Sequence, residues 1–130
     1  MTFKILIVED VPDTREALQL YFKHQGFTVL TAMDGQEGLA IAKAEKPDVI
    51  LTDIAMPEMD GETMIRRIRS EGENPDLPIF VFTARGSGTV AGAMRAGATQ
   101  AFYKPFDFEE LAKLVCEVLE TPDKAASTKP

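Results

Sequence analysis

Four short apolar runs in this chain each stop at a group that can do chemistry. Residues 5–8 lead into Glu9 and Asp10, residues 49–51 into Thr52 and Asp53, residues 79–82 into Thr83, and Phe102 with Tyr103 into Lys104 and Pro105. If the runs are parallel strands, these ends gather along one sheet edge, where α/β proteins place their sites. Glu9 and Asp10 alone would equally suit a solvated acidic turn; a site is indicated by their company with Asp53, Thr83 and Lys104. Three crowded carboxylates raise each other's proton affinity, and a cation relieves that strain. Hard oxygen donors with room for water favour Mg²⁺, with Mn²⁺ as the alternative. An aspartate is a poor nucleophile by itself, yet it can attack phosphorus once cationic groups take up the charge of the phosphoryl oxygens. Asp53 is the candidate for that role, Lys104 supplies an ammonium and Thr83 a hydroxyl. Pro105 confines Lys104 to extended backbone, and the bond joining them is a candidate cis peptide.

The elements that must carry these groups follow from the hydrophobic pattern. Strand-length apolar runs alternate with segments of helical period, as expected of successive βα units around a parallel sheet. Strands are expected at residues 4–8, 28–32, 49–52, 79–83 and 100–103. The third has no polar alternation, which suits a strand covered on both faces. Pro12 and Asp13 open a first helix that Gly26 closes, and Asp34 can cap a second. Met64, Ile65 and Ile68 mark a third, followed by a polar loop over residues 70–78. Glycines at 86, 88 and 92 weaken the fourth helix, making residues 85–92 the expected mobile part, and Gly97 ends it. Asp107 with Glu110 resembles a capping box ahead of the stripe Leu111, Leu114, Val115, Val118 and Leu119. Residues 1–120 thus form one expected domain, and residues 121–130, without apolar anchors, an expected flexible tail.

Composition narrows the function classes. At 130 residues with 45% hydrophobic content the chain can bury a core without staples. Its net charge of −7, with no basic cluster, argues against nucleic acid as a partner and for a protein. Cys116 is the only cysteine, so no internal disulfide can form, and its apolar neighbours suggest a packed thiol. Neither a signal peptide nor a membrane-spanning run is visible, and the chain reads as soluble and cytoplasmic. His24, beside Lys23 and Gln25, reads as a solvated residue and not as a phosphotransfer group.

The motifs Ile7-Val8-Glu9-Asp10, Asp53 through Gly61, Thr83-Ala84 and Lys104-Pro105-Phe106 resemble the receiver domain of two-component response regulators, over nearly the whole chain and in the right order. The resemblance implies a flavodoxin-like, doubly wound α/β domain: a five-stranded parallel sheet in the order 2-1-3-4-5, with helices on both faces. That order is the one known for the chemotaxis member of the family. It further implies Asp53 as phosphoacceptor, and Asp10, Asp53 and the backbone carbonyl of Ala55 as Mg²⁺ ligands. Glu9 would act through a metal-bound water, Thr83 as the switch hydroxyl and Lys104 as the cation paired with phosphate. The implied donor is a histidine kinase or histidine phosphotransfer protein, and the receiver itself would catalyse transfer. The output would be a downstream protein, or a phosphorylation-dependent homodimer built on the fourth helix, fifth strand and fifth helix. A single-domain adaptor, a phosphorelay carrier and a receiver cut from a longer protein are all compatible with the chain.

Three positions depart from the family pattern. Ala101 stands where receivers often place a switch aromatic, and Tyr103, on the same strand face, is the candidate replacement. Signalling is therefore expected to run mainly through the loop and helix after Thr83. Ala55 and Arg85, two residues after the phosphoacceptor and after the threonine, would slow loss of the phosphoryl group: alanine cannot orient a water, and arginine can shield the phosphate. Met56 and Met59 are expected either as a lid over the site or as part of a docking surface. Two other classes compete. One is a Mg²⁺-dependent phosphatase or phosphotransferase using Asp53 on small substrates, disfavoured by the lack of a cap domain. The other is a flavin domain, disfavoured because flavin phosphates are held by glycine- and hydroxyl-rich loops.

Overall fold

In the computed structural model, residues 2–56, 59–83, 87–104 and 106–120 are described, with residues 87–89 as backbone only. Strands and helices alternate strictly: β1 (Lys4–Val8), α1 (Pro12–His24), β2 (Thr28–Ala32), α2 (Gly35–Glu45), β3 (Val49–Asp53), α3 (Gly61–Glu71), β4 (Ile79–Thr83), α4 (Ser87–Ala96), β5 (Gln100–Tyr103) and α5 (Phe108–Glu120). All pairings are parallel and the sheet order is β2-β1-β3-β4-β5. This is the order that the motifs implied.

Side-chain alternation sorts the core into two layers. Leu6, Val8, Ile50, Ile79 and Val81 face α2, α3 and α4, where Leu39, Met64, Ile65, Ile68 and Ala93 meet them. Ile5, Ile7, Val49, Leu51, Phe80 and Phe82 face α1 and α5, against Leu18, Phe22, Leu111 and Val115. Every residue of β3 and β4 is buried, so these central strands carry apolar side chains on both faces. Burying each large side chain contributes about 1.5–3 kcal/mol, which fixes the strand ends that follow.

Helix starts use local acids. Asp34 accepts the Glu37 N–H at 2.8 Å and Asp60 the Thr63 N–H at 2.8 Å, each satisfying an orphan donor of a first turn. Asp107 also caps α5, but through the Glu109 N–H at 2.9 Å, one residue earlier than a capping box requires. Residues 70–78 have the composition of a polar loop, yet α3 continues through Ser70 and Glu71. An i,i+4 pair between Arg67 and Glu71 extends the last turn, and Gly72 ends it with its N–H on the Ile68 carbonyl at 2.8 Å. β3 likewise runs one residue further than expected and includes Asp53 itself. The mobile segment expected around residue 85 and the tail over 121–130 fall on or run into residues outside the described set.

Candidate functional site

Parallel pairing of β1 with β3, and of β3 with β4, brings three strand ends side by side. Glu9 follows β1, and its backbone N–H binds the Ala32 carbonyl at the end of β2 (3.0 Å), so the acid leaves the sheet on a fixed path. Its side chain is fully buried. One carboxylate oxygen, Oε2, accepts the Val11 N–H at 3.0 Å, while Oε1 lies 3.3 Å from the Lys104 ammonium. Val11 is a poor helix cap, and Pro12 suits the first helical position; Glu9 thus anchors the start of α1 and lines the pocket at once.

Asp53 ends the central strand and is 6% exposed. Its Oδ1 accepts the Ile54 N–H at 2.7 Å, with the Ala55 N–H further off at 3.3 Å. Its Oδ2 faces Lys104 at 3.5 Å. The loop behind Asp53 is held by close backbone packing: the Gly61 N–H binds the Ile54 carbonyl at 2.7 Å, and a Cβ at residue 61 would lie 2.4 Å from the Asp53 carbonyl oxygen. Only glycine fits there. Met56 and Met59 pack on the core layer beneath α2 and α3, and the Met59 carbonyl accepts the Gly35 N–H. Asp10 completes the set, since Glu9, Asp10 and Asp53 offer carboxylate oxygens all within 4.8 Å of one another.

Charge is only partly compensated at this edge. Three acids converge, and Lys104 pairs with two of them, Glu9 and Asp53. Burial pushes the Glu9 carboxyl up to about 7, with Asp53 and Asp10 adding to the rise and the Val11 N–H and Lys104 opposing it. A buried acid that holds its proton so tightly, among two other acids, is what a divalent cation would discharge. The oxygen-only donor set therefore fits Mg²⁺.

Thr83 is fully buried at the end of β4, and its carbonyl accepts the Lys104 N–H at 2.9 Å, closing the β4–β5 ladder directly below the site. Tyr103 pairs in register with Thr83 and is 50% exposed, while Ala101 packs on the α2–α4 layer and Phe102 on the opposite one. All six candidate residues, Glu9, Asp10, Asp53, Ala55, Thr83 and Lys104, thus stand at the carboxyl edge. Pro57, Glu58, Ala84, Arg85 and Pro105 lie outside the described residues, and with them the readings on the cis peptide and on Arg85.

Two neighbours escaped the sequence reading. Arg15, on the first turns of α1, donates Nη1 to the Glu9 carbonyl at 2.9 Å. Its position six residues after Glu9 carried no motif. Phe82, read only as core, lies beneath the Lys104 ammonium, with Nζ 5.2 Å from the ring centroid. His24 is exposed on the last turn of α1, away from these groups, and Cys116 is partly buried on the α1–α5 layer.

A parallel sheet in this order with an acidic pocket and a lysine at its carboxyl edge defines a class, and the chain belongs to it: residues 5–116 match the family described as the response regulator receiver domain. It is the signal-receiving module of two-component systems. Over 130 aligned residues it is 40% identical to response regulator MprA of Mycolicibacterium vanbaalenii, covering 97% of this chain and 55% of that protein. The chain thus spans about half the length of the curated relatives it matches. Among solved structures, chemotaxis response regulator CheY4 of Vibrio cholerae superposes with a TM-score of 0.84 at 32% identity, over 92% of this chain and 100% of that one. The receiver domain of sensor histidine kinase PA1611 from Pseudomonas aeruginosa, solved with a magnesium ion coordinated in its active-site cleft, gives 0.86 at 27% identity over 93% and 100%. No helix among the described residues is long and apolar enough to cross a membrane.

Proposed function

We propose that Asp53 accepts a phosphoryl group from the phosphohistidine of a histidine kinase or histidine phosphotransfer protein. The observation that carries this reading is the meeting of Glu9, Asp10, Asp53 and Lys104 at one edge of a receiver fold. Asp10, Asp53 and the Ala55 carbonyl would hold Mg²⁺, with Glu9 reaching it through water. When bound, the cation would neutralise charge on the phosphoryl oxygens. Backbone N–H groups hold Oδ1 of Asp53, which leaves Oδ2 turned toward the ammonium as the attacking atom. In the transfer the new bond joins Oδ2 to phosphorus, the phosphorus–nitrogen bond of the donor breaks, and the imidazole leaves with the electron pair. Lys104 meets the negative phosphoryl oxygens from the side of β5. Thr83 then supplies its hydroxyl to one of them, and its displacement changes the surface that a downstream protein or a second receiver reads.

Residues 1–120 form the working unit in this reading. The same residues support self-phosphorylation from small phosphodonors and self-dephosphorylation by water. The test is incubation with acetyl phosphate and Mg²⁺, followed by mass measurement of the intact protein. The parent is expected to gain one phosphoryl group, Asp53→Asn none, and the parent with excess chelator little. Equal labelling of parent and Asp53→Asn would overturn the assignment.

A further inference from the structure

We infer that Phe82 is a positioning residue whose ring holds the Lys104 ammonium beside Asp53 whatever charge the acids carry. This inference rests on the phosphoacceptor reading for its consequence, but not for its geometry. The two ion pairs of Lys104 are long, 3.3 Å to Glu9 and 3.5 Å to Asp53. Well-made ammonium–carboxylate hydrogen bonds fall near 2.7–2.9 Å. Neither acid therefore clamps the ammonium. The ring supplies a third hold: Nζ lies over Phe82 at 5.2 Å from its centroid, within the roughly 6 Å over which the negative face of an aromatic ring attracts a cation.

Phe82 is itself immobilised. It is fully buried, it pairs in register with Asp53 across the β3–β4 ladder, and its ring packs on Phe106 at 5.3 Å. The core thus sets the ring position, and the register sets it next to the phosphoacceptor. The pull of Glu9 and Asp53 on Lys104 weakens when a divalent cation takes up their charge, whereas the quadrupole of the ring does not change. Phe82 keeps the ammonium in reach of Asp53 at the stage when the acids have let it go.

Two measurements test this. In the proton NMR spectrum of the metal-free parent, the Lys104 ε-methylene protons should be shifted upfield by the ring, remain so after Mg²⁺ is added, and return to the ordinary position in Phe82→Leu. Phosphoryl uptake from acetyl phosphate is then compared in the parent, Phe82→Leu, Lys104→Met and the double variant. Phe82→Leu should slow uptake by about two- to thirtyfold when Lys104 is present and not at all in the Lys104→Met background. Equal slowing in both backgrounds would reveal a general packing defect and overturn the inference, as would an unshifted Lys104 signal in the parent. Phe82→Met serves in place of Phe82→Leu if the latter does not fold. A parent that shows the upfield shift but takes up no phosphoryl group would count against the phosphoacceptor reading while leaving the placement of Lys104 by Phe82 established.

Discussion

Glu9 and Glu71 stand at opposite ends of the sheet and are driven in opposite directions. At the carboxyl edge, burial among acids pushes Glu9 up to about 7. At the amino edge, the side-chain hydrogen bonds of Arg67 and Lys43 hold Glu71 down near 2. Glu71 lines a groove of about 1000 Å³ whose walls include Phe3, Ile68, Leu77, Pro78, Val118 and Leu119. Four of its charges are spent on one another: Lys43 pairs with Glu71, and Lys46 with Glu73 at 3.2 Å. Such pairs lie on the surface, are screened by water and contribute little. The carboxyl edge has the reverse arrangement, buried acids in excess over their cation. The contrast supports placing the proposed chemistry at the acidic edge, because unspent charge is what a ligand can be bound with.

Lys104→Met should break the contrast most sharply. Loss of the Lys104 ammonium at the acidic edge is expected to slow phosphoryl uptake by about a hundredfold, read by intact mass against time, since a preorganised cation at developing negative charge is worth that much. Gly61→Ala attacks the same edge through the backbone. Its Cβ would meet the Asp53 carbonyl oxygen at 2.4 Å, and urea unfolding should show a loss of about 1–3 kcal/mol, the usual cost of overpacking. Ala55→Asn sharpens the comparison more gently: it adds a group able to orient water, so the phosphorylated variant should lose its label several-fold faster than the parent. Lys43→Ala at the groove should be the smallest of all, with phosphoryl uptake unchanged and a melting temperature within error at neutral pH. As Glu71 is held below its ordinary value of 4.5 in the fold, any stability it lends is complete above that pH and fades as the pH falls toward 2.

Much of this was written in residue types. The run without polar alternation before Asp53 announced a strand covered on both faces, and the acid or hydroxyl at the strand ends announced the edge on which a site would form. Asp34 announced one helix start and caps as its chemistry suggests, whereas the matching cap by Asp60 on α3 emerged only in the fold. What the sequence could not show depends on distance. The high proton affinity of Glu9 comes from complete burial, which a residue adjoining a loop does not advertise. Phe82 looks like any core aromatic until β5 folds back and lays Lys104 across it. The two residues by which α3 outruns the expectation, Ser70 and Glu71, come with a pair between Arg67 and Glu71, an acid that composition alone would assign to a polar loop. Gly61 matters because of a carbonyl eight residues behind it in the chain and touching it in space.

The last rung of the outer ladder, from the Lys104 amide to the Thr83 carbonyl, joins the two residues whose side chains would meet an incoming phosphoryl group. Hydroxyl and ammonium are thus carried by residues that share one backbone hydrogen bond, and a displacement of one would pass to the other through the ladder. An event at Asp53 would reach β5, with its half-exposed Tyr103, along the same rigid rung.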